Sequence, residues 1–144
     1  MIANNTQTMM RLHHFGISVA NLRETIDWYS EKLGFKFDYG YEIPALNAQI
    51  AFMTLNDFRI EIFEIKNSSP LPESSRSPAT DLPIAGLKHI AIAVNNIEKV
   101  SADFESRGVE FIGKIRDVPN SDGEKFVFFR DNNGILIELY QPLE

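Results

Sequence analysis

The chain has 144 residues, 44% of them hydrophobic and 24% charged, with no cysteine and a formal net charge of −6. That length and mixture belong to one ordinary folded domain, or to two small modules sharing a core, and they exclude a disordered chain. The missing cysteine excludes disulfides, thiolate metal sites and cysteine nucleophiles, and an acidic chain with no basic run is a poor match for nucleic acid.

Residues 1–9 are polar and read as a loose tail, with neither the basic start nor the apolar stretch of a signal peptide. No apolar run approaches the roughly 20 residues of a membrane span, so the expected location is cytoplasmic. Leu12 to Val19 alternates and reads as a strand. Asn21 then offers a helix cap, with Glu24 three residues later as its capping-box partner. Leu22, Ile26, Tyr29 and Leu33 share one helical face, and Gly34 closes the helix. Strands follow at about 35–42, 48–55 and 58–65. Residues 66–86 carry Pro70, Pro72, Pro78 and Pro83 among several serines, which predicts an extended crossover without regular structure. The second half opens with a strand at 88–94. Asn96 caps a helix whose buried stripe is Ile97, Val100 and Phe104, and Gly108 ends it. Strands at about 109–115, 124–130 and 135–141 complete the chain.

The two halves repeat each other. His14-Phe15-Gly16-Ile17-Ser18-Val19 answers His89-Ile90-Ala91-Ile92-Ala93-Val94, an offset of 89 − 14 = 75. Ile60-Glu61-Ile62-Phe63 answers Ile137-Glu138-Leu139-Tyr140, an offset of 138 − 61 = 77, and Phe52 answers Phe128 between them. The reading is an α+β fold built from two paired βαβββ modules, at 10–65 and 87–144, joined by 66–86. Modules of this size are small for independent cores, so their sheets are expected to close on each other as an open eight-stranded barrel.

Strand alternation sorts the repeated residues by face. His14, Gly16 and Ser18 share one face of the first strand, and His89, Ala91 and Ala93 share the matching face of its counterpart. Glu61 and Glu138 each lie opposite flanking apolar residues. Curling round the small-residue faces would bring His14, Glu61, His89 and Glu138 towards one centre, as ligands of one divalent ion. Imidazole and carboxylate suit zinc, nickel, cobalt, manganese or iron(II). Such an ion can stabilise the enolate formed when a carbon beside a bound oxygen loses its proton, and a carboxylate can serve as the base. His13 has no counterpart, since Lys88 stands at its place, and is read as structural and turned away.

The chain resembles the vicinal oxygen chelate superfamily, also called the glyoxalase, bleomycin-resistance and dioxygenase superfamily. The resemblance rests on the repeated His and Ile-Glu-Ile/Leu positions, the Asn21-Leu22 helix start and the Trp28-Tyr29 and Leu33-Gly34-Phe35 stretch, over about residues 11–142. It implies a metal-dependent lyase or isomerase similar to bacterial glyoxalase I, with zinc or nickel foremost, Glu138 as the catalytic base and a small-molecule substrate. It also implies a cytoplasmic homodimer, which would cover the sheet edges.

Two departures narrow the resemblance. Ser18 stands where glutathione-dependent members carry the Arg that holds a glutathione carboxylate. Methylmalonyl-CoA epimerases usually carry Gln at the place of Glu61, and an acidic residue where this chain has Ala45-Leu46-Asn47. Two alternatives stay open: a non-haem iron dioxygenase, and a non-catalytic ligand-binding protein of the bleomycin-resistance type with Phe52, Phe63, Phe128, Phe129 and Tyr140 about its pocket. Arg59, Arg116, Lys114 and Lys125 are strand-end cations able to meet an anionic substrate.

Overall fold

Asparagine starts both longer helices. Asn21 Oδ1 accepts from the Glu24 amide at 3.0 Å, and Asn96 Oδ1 from the Lys99 amide at 2.9 Å, each satisfying an N–H that the first turn leaves unpaired. A side chain from the last strand of each half adds a second cap: Glu64 accepts from the Leu22 amide, Gln141 from the Ile97 amide. The computed structural model describes residues 10–144, so the tail expected over residues 1–9 lies outside the described residues.

The element order is β1 (Phe15–Val19), α1 (Leu22–Trp28), β2 (Lys36–Ile43), β3 (Ala48–Leu55), β4 (Phe58–Ile65), α2 (Pro78–Asp81), β5 (Ile90–Ala93), α3 (Ile97–Ser106), β6 (Phe111–Asp117), β7 (Lys125–Arg130) and β8 (Leu136–Gln141). After Trp28 the first helix widens into a π-turn over Tyr29–Leu33, then stops on Gly34 at φ 80°, the left-handed closure that glycine favours. The strands form two four-stranded mixed sheets, ordered β1-β4-β3-β2 and β5-β8-β7-β6. In each, the first strand pairs parallel with the last: Gly16 stands beside Glu61, and Ala91 beside Glu138.

Three expectations need correction. The eight strands expected in one open barrel lie in two four-stranded sheets, with no strand pairing between the two among the described residues. The crossover is not devoid of regular structure: Glu73–Arg76 forms a 3-10 turn, and α2 starts on Pro78. Proline's missing N–H costs nothing at a first helical position, where that N–H has no partner anyway. The first strands are also shorter than expected, which leaves His14 and His89 each one residue ahead of their strands.

One core serves both sheets. Ile17, Val19, Tyr29, Leu33, Phe35, Ile60 and Ile62 from the first half merge with Ile90, Ile97, Phe104, Val127, Phe129, Ile137 and Leu139 from the second. Those that belong to strands lie on the side opposite the His–Glu pairs. The polar ties between the halves converge on α1 and the π-turn that follows it. The Tyr29 hydroxyl donates to Asp131 Oδ2 at 2.9 Å, and both side chains are buried. Lys32 Nζ donates to the Arg107 carbonyl, and Arg107 Nη1 donates to the Lys32 carbonyl at 3.3 Å. The helix ends of the two halves thus hold each other by reciprocal bonds. Among the described residues no helix is long and apolar enough to cross a membrane.

Burial raises the affinity of the Asp131 carboxyl for its proton; the amides of Ile135 and Asn133 and the Tyr29 hydroxyl act in the opposite sense. A carboxyl held above its ordinary range adds stability at low pH and loses it as pH rises through the shifted value. Asp131→Asn should therefore flatten the pH dependence of the melting temperature above the ordinary carboxylate range. Tyr29→Phe leaves the buried carboxylate one donor short, so a loss of about 1–3 kcal/mol in urea unfolding is expected.

Candidate metal centre

Each sheet presents one His–Glu pair on its outer, helix-free face. The parallel pairing of the first strand with the last puts His14 Nε2 3.1 Å from Glu61 Oε2, and His89 Nε2 3.1 Å from Glu138 Oε2. Both imidazoles are about one-third exposed, at 34% and 31%, while the carboxylates are largely covered, at 14% and 12%. An aromatic ring braces each pair. His14 meets Phe52 edge-on with centroids 5.2 Å apart, and His89 meets Phe128 likewise at 5.0 Å. Gly16 and Ala91 keep the neighbouring surface low, and a Cβ at Gly16 would lie 3.3 Å from the Phe63 ring.

The sequence places all four residues at one centre; the structure brings them together only in twos. Among the described residues no group of three or more His, Asp or Glu side chains is placed to share an ion. Alternation fixes which face a side chain takes but not how two sheets are set against each other. The chain therefore carries two matched half-sites, each with one imidazole and one carboxylate.

The half-sites differ in their surroundings. The Tyr41 hydroxyl donates to Glu61 Oε1 at 2.8 Å, and that bond holds the phenol above its ordinary pKa. Tyr39 stacks on Phe52 with centroids 5.0 Å apart and continues the aromatic wall. Glu138 has no such hydroxyl. Burial raises its proton affinity, and His89 works against the rise. In register, Arg116 lies opposite Phe126 as Tyr41 lies opposite Ile50, so an arginine takes in β6 the place that Tyr41 takes in β2. Tyr140 is bonded through its hydroxyl to Glu124.

His13 is not turned away. Its Nδ1 lies 2.7 Å from His14 Nδ1, and the rings meet edge-on. One of these nitrogens donates and the other accepts. Both histidines precede β1, where strand alternation does not apply. Of the proposed pocket aromatics, Phe129 belongs to the buried core, whereas Phe52 and Phe128 lie at the half-sites. Of the cations, Arg59 pairs with Asp38 and Lys125 with Glu98, while Lys114 lies in the groove beside α3. Tyr39 and Tyr41 escaped the sequence reading because a register shift between Phe37 and Tyr39 breaks the simple alternation of β2.

Residues 11–139 match the Glyoxalase/Bleomycin resistance protein/Dioxygenase superfamily, and the chain belongs to it. A glyoxalase family protein of Enterococcus faecalis superposes with a TM-score of 0.76 at 30% identity, covering 90% of this chain and 96% of that one. An ethylmalonyl-CoA/methylmalonyl-CoA epimerase of Cereibacter sphaeroides is 27% identical over 137 residues, 91% of this chain and 97% of the relative. Glyoxalase I of Zea mays shares the fold, with a TM-score of 0.72 at 23% identity, and this chain covers 45% of its length.

The Tyr41 phenol gives a local probe of the first half-site. Glu61→Gln removes the negative charge that opposes the phenolate, so the Tyr41 titration followed by NMR should move down towards an ordinary tyrosine. An unmoved titration would show that the Tyr41–Glu61 bond is absent in solution.

Proposed function

We propose that the chain is a divalent-metal-dependent lyase or isomerase acting on a small oxygen-bearing substrate. The observation that carries the reading is the duplicated His–Glu pair, alike in distance, exposure and aromatic bracing in both halves. The donor set fits a borderline divalent ion such as zinc or nickel: two imidazoles and two carboxylates, the rings about one-third exposed. His14, Glu61, His89 and Glu138 would hold it. When bound, such an ion supplies Lewis-acid stabilisation of an oxygen on which negative charge develops.

Because each chain shows two pairs and, among the described residues, no group of three, the site would be shared in a homodimer, the first pair of one copy joining the second pair of its partner. Glu138 is the base in this scheme. Its covered setting and raised proton affinity suit a carboxylate that removes a proton from carbon and returns it. Glu61, tied to the Tyr41 hydroxyl, suits a fixed ligand. The epimerase and glyoxalase relatives both support proton-transfer chemistry, and the substrate class between them is left to assay.

Elemental mass spectrometry tests the shared site by complementation. His14→Ala and His89→Ala homodimers should each lose the metal. Co-refolded as a mixed dimer, the two variants should regain one site per dimer, because one first half and one second half remain intact. A mixture that stays metal-free, beside a wild type that binds, would rule out sharing between copies. In the metal-loaded protein Glu138→Gln should lower turnover by about 10²-fold or more. Turnover equal to wild type would remove Glu138 from the base role.

A further inference from the structure

We propose that the cleft between β1 and the crossover is a binding site for a small organic carboxylate, held by the guanidinium of Arg76. The cleft measures about 680 Å³, within the range of small-molecule sites. It runs along β1, an edge strand of its sheet, where Gly16 and Ser18 line it. Ser68, Ser69 and Leu71 of the crossover and Ile135 of the turn before β8 complete the lining used here.

Arg76 is set into this cleft by its backbone. Its carbonyl accepts from Arg130 Nε at 2.6 Å, which fastens the 3-10 turn of the crossover to the end of β7. Its side chain lies along Gly134: a Cβ there would meet Arg76 Nε at 3.4 Å, Cγ at 3.5 Å and Cδ at 3.6 Å. Glycine at that place, with φ 84°, leaves the stem room to lie flat. The Nε of Arg76 is buried and, among the described residues, has no hydrogen-bond partner. Glu73 accompanies it at 3.6 Å, beyond hydrogen-bond reach, with its side chain 90% exposed.

The Nε itself is covered, but the Arg76 side chain is 41% exposed where it lines the cleft, so the guanidinium can meet an acceptor that arrives with a ligand. The flat fork of a guanidinium matches the two oxygens of a carboxylate. The hydroxyls of Ser18, Ser68 and Ser69 add short, adaptable donors. Leu71 and Ile135 fit a carbon chain, which a free inorganic anion does not have. The site concerns neither His–Glu pair directly and requires no metal.

The test is calorimetric titration of the full chain, freed of metal by chelation, with succinate, succinamide and inorganic phosphate in turn. Succinate should bind saturably, and succinamide and phosphate should bind at least about tenfold more weakly, the loss expected for one charge-assisted contact. Arg76→Gln should weaken succinate by a similar factor. Arg23→Gln, which removes an exposed cation from α1, should leave binding unchanged. Ser18→Leu blocks the cleft without altering charge and should also abolish binding, so the test survives if Arg76→Gln fails to fold. Succinate binding undiminished in a folded Arg76→Gln or Ser18→Leu variant would overturn the assignment. So would phosphate binding as tightly as succinate, or no succinate binding to the wild type at millimolar concentration. Since the measurement is made without metal, its failure and that of the metal reading are separate results.

Discussion

The rest of the structure hangs on one pairing made twice, the first strand of each half laid parallel beside the last. It joins residues far apart in the chain, Gly16 to Glu61 and Ala91 to Glu138, and fixes their register. With that register set, the strand period sends Ile17, Ile60 and Ile62 to the helices and leaves the small residues outside. The His ahead of each first strand then falls within 3.1 Å of the Glu on the last. Core and half-sites are two sides of the same ladder.

Much of this is legible in the sequence because it is local or periodic. The asparagine caps, the Gly34 stop and the bounds of β3 and β4 follow from turn chemistry and alternation over a few residues. The duplication reveals the pairs of like residues. What escapes are features set by distant contacts. The angle between the sheets decides whether four ligands converge, and no period encodes it. α2 hides behind Pro78, a residue that breaks a helix anywhere but at its start. Tyr41 reaches Glu61 only because the register of β2 slips near Phe37.

Duplication did not produce equivalent halves. The first carboxylate is bonded to a phenol, while the second is left with imidazole and burial for company. A phenol and a guanidinium occupy the same register place in β2 and β6. On the proposed reading, this difference divides the labour between a ligand that stays and a carboxylate that carries a proton. The sequence repeat marks where the halves agree; the chemistry is argued from where they differ.

The reciprocal bonds of Lys32 and Arg107 bear on how the two halves are related. A module of this size buries only a modest core by itself, and here the apolar stripes of the two halves bury each other. Because both halves belong to one chain, that shared interior is not bound to strict symmetry. Tyr29 and Phe104 occupy one place in the two repeats, 104 − 29 = 75 residues apart, and only Tyr29 carries a hydroxyl. The buried bond to Asp131 is thus made on one side alone, an economy closed to a pair of identical chains.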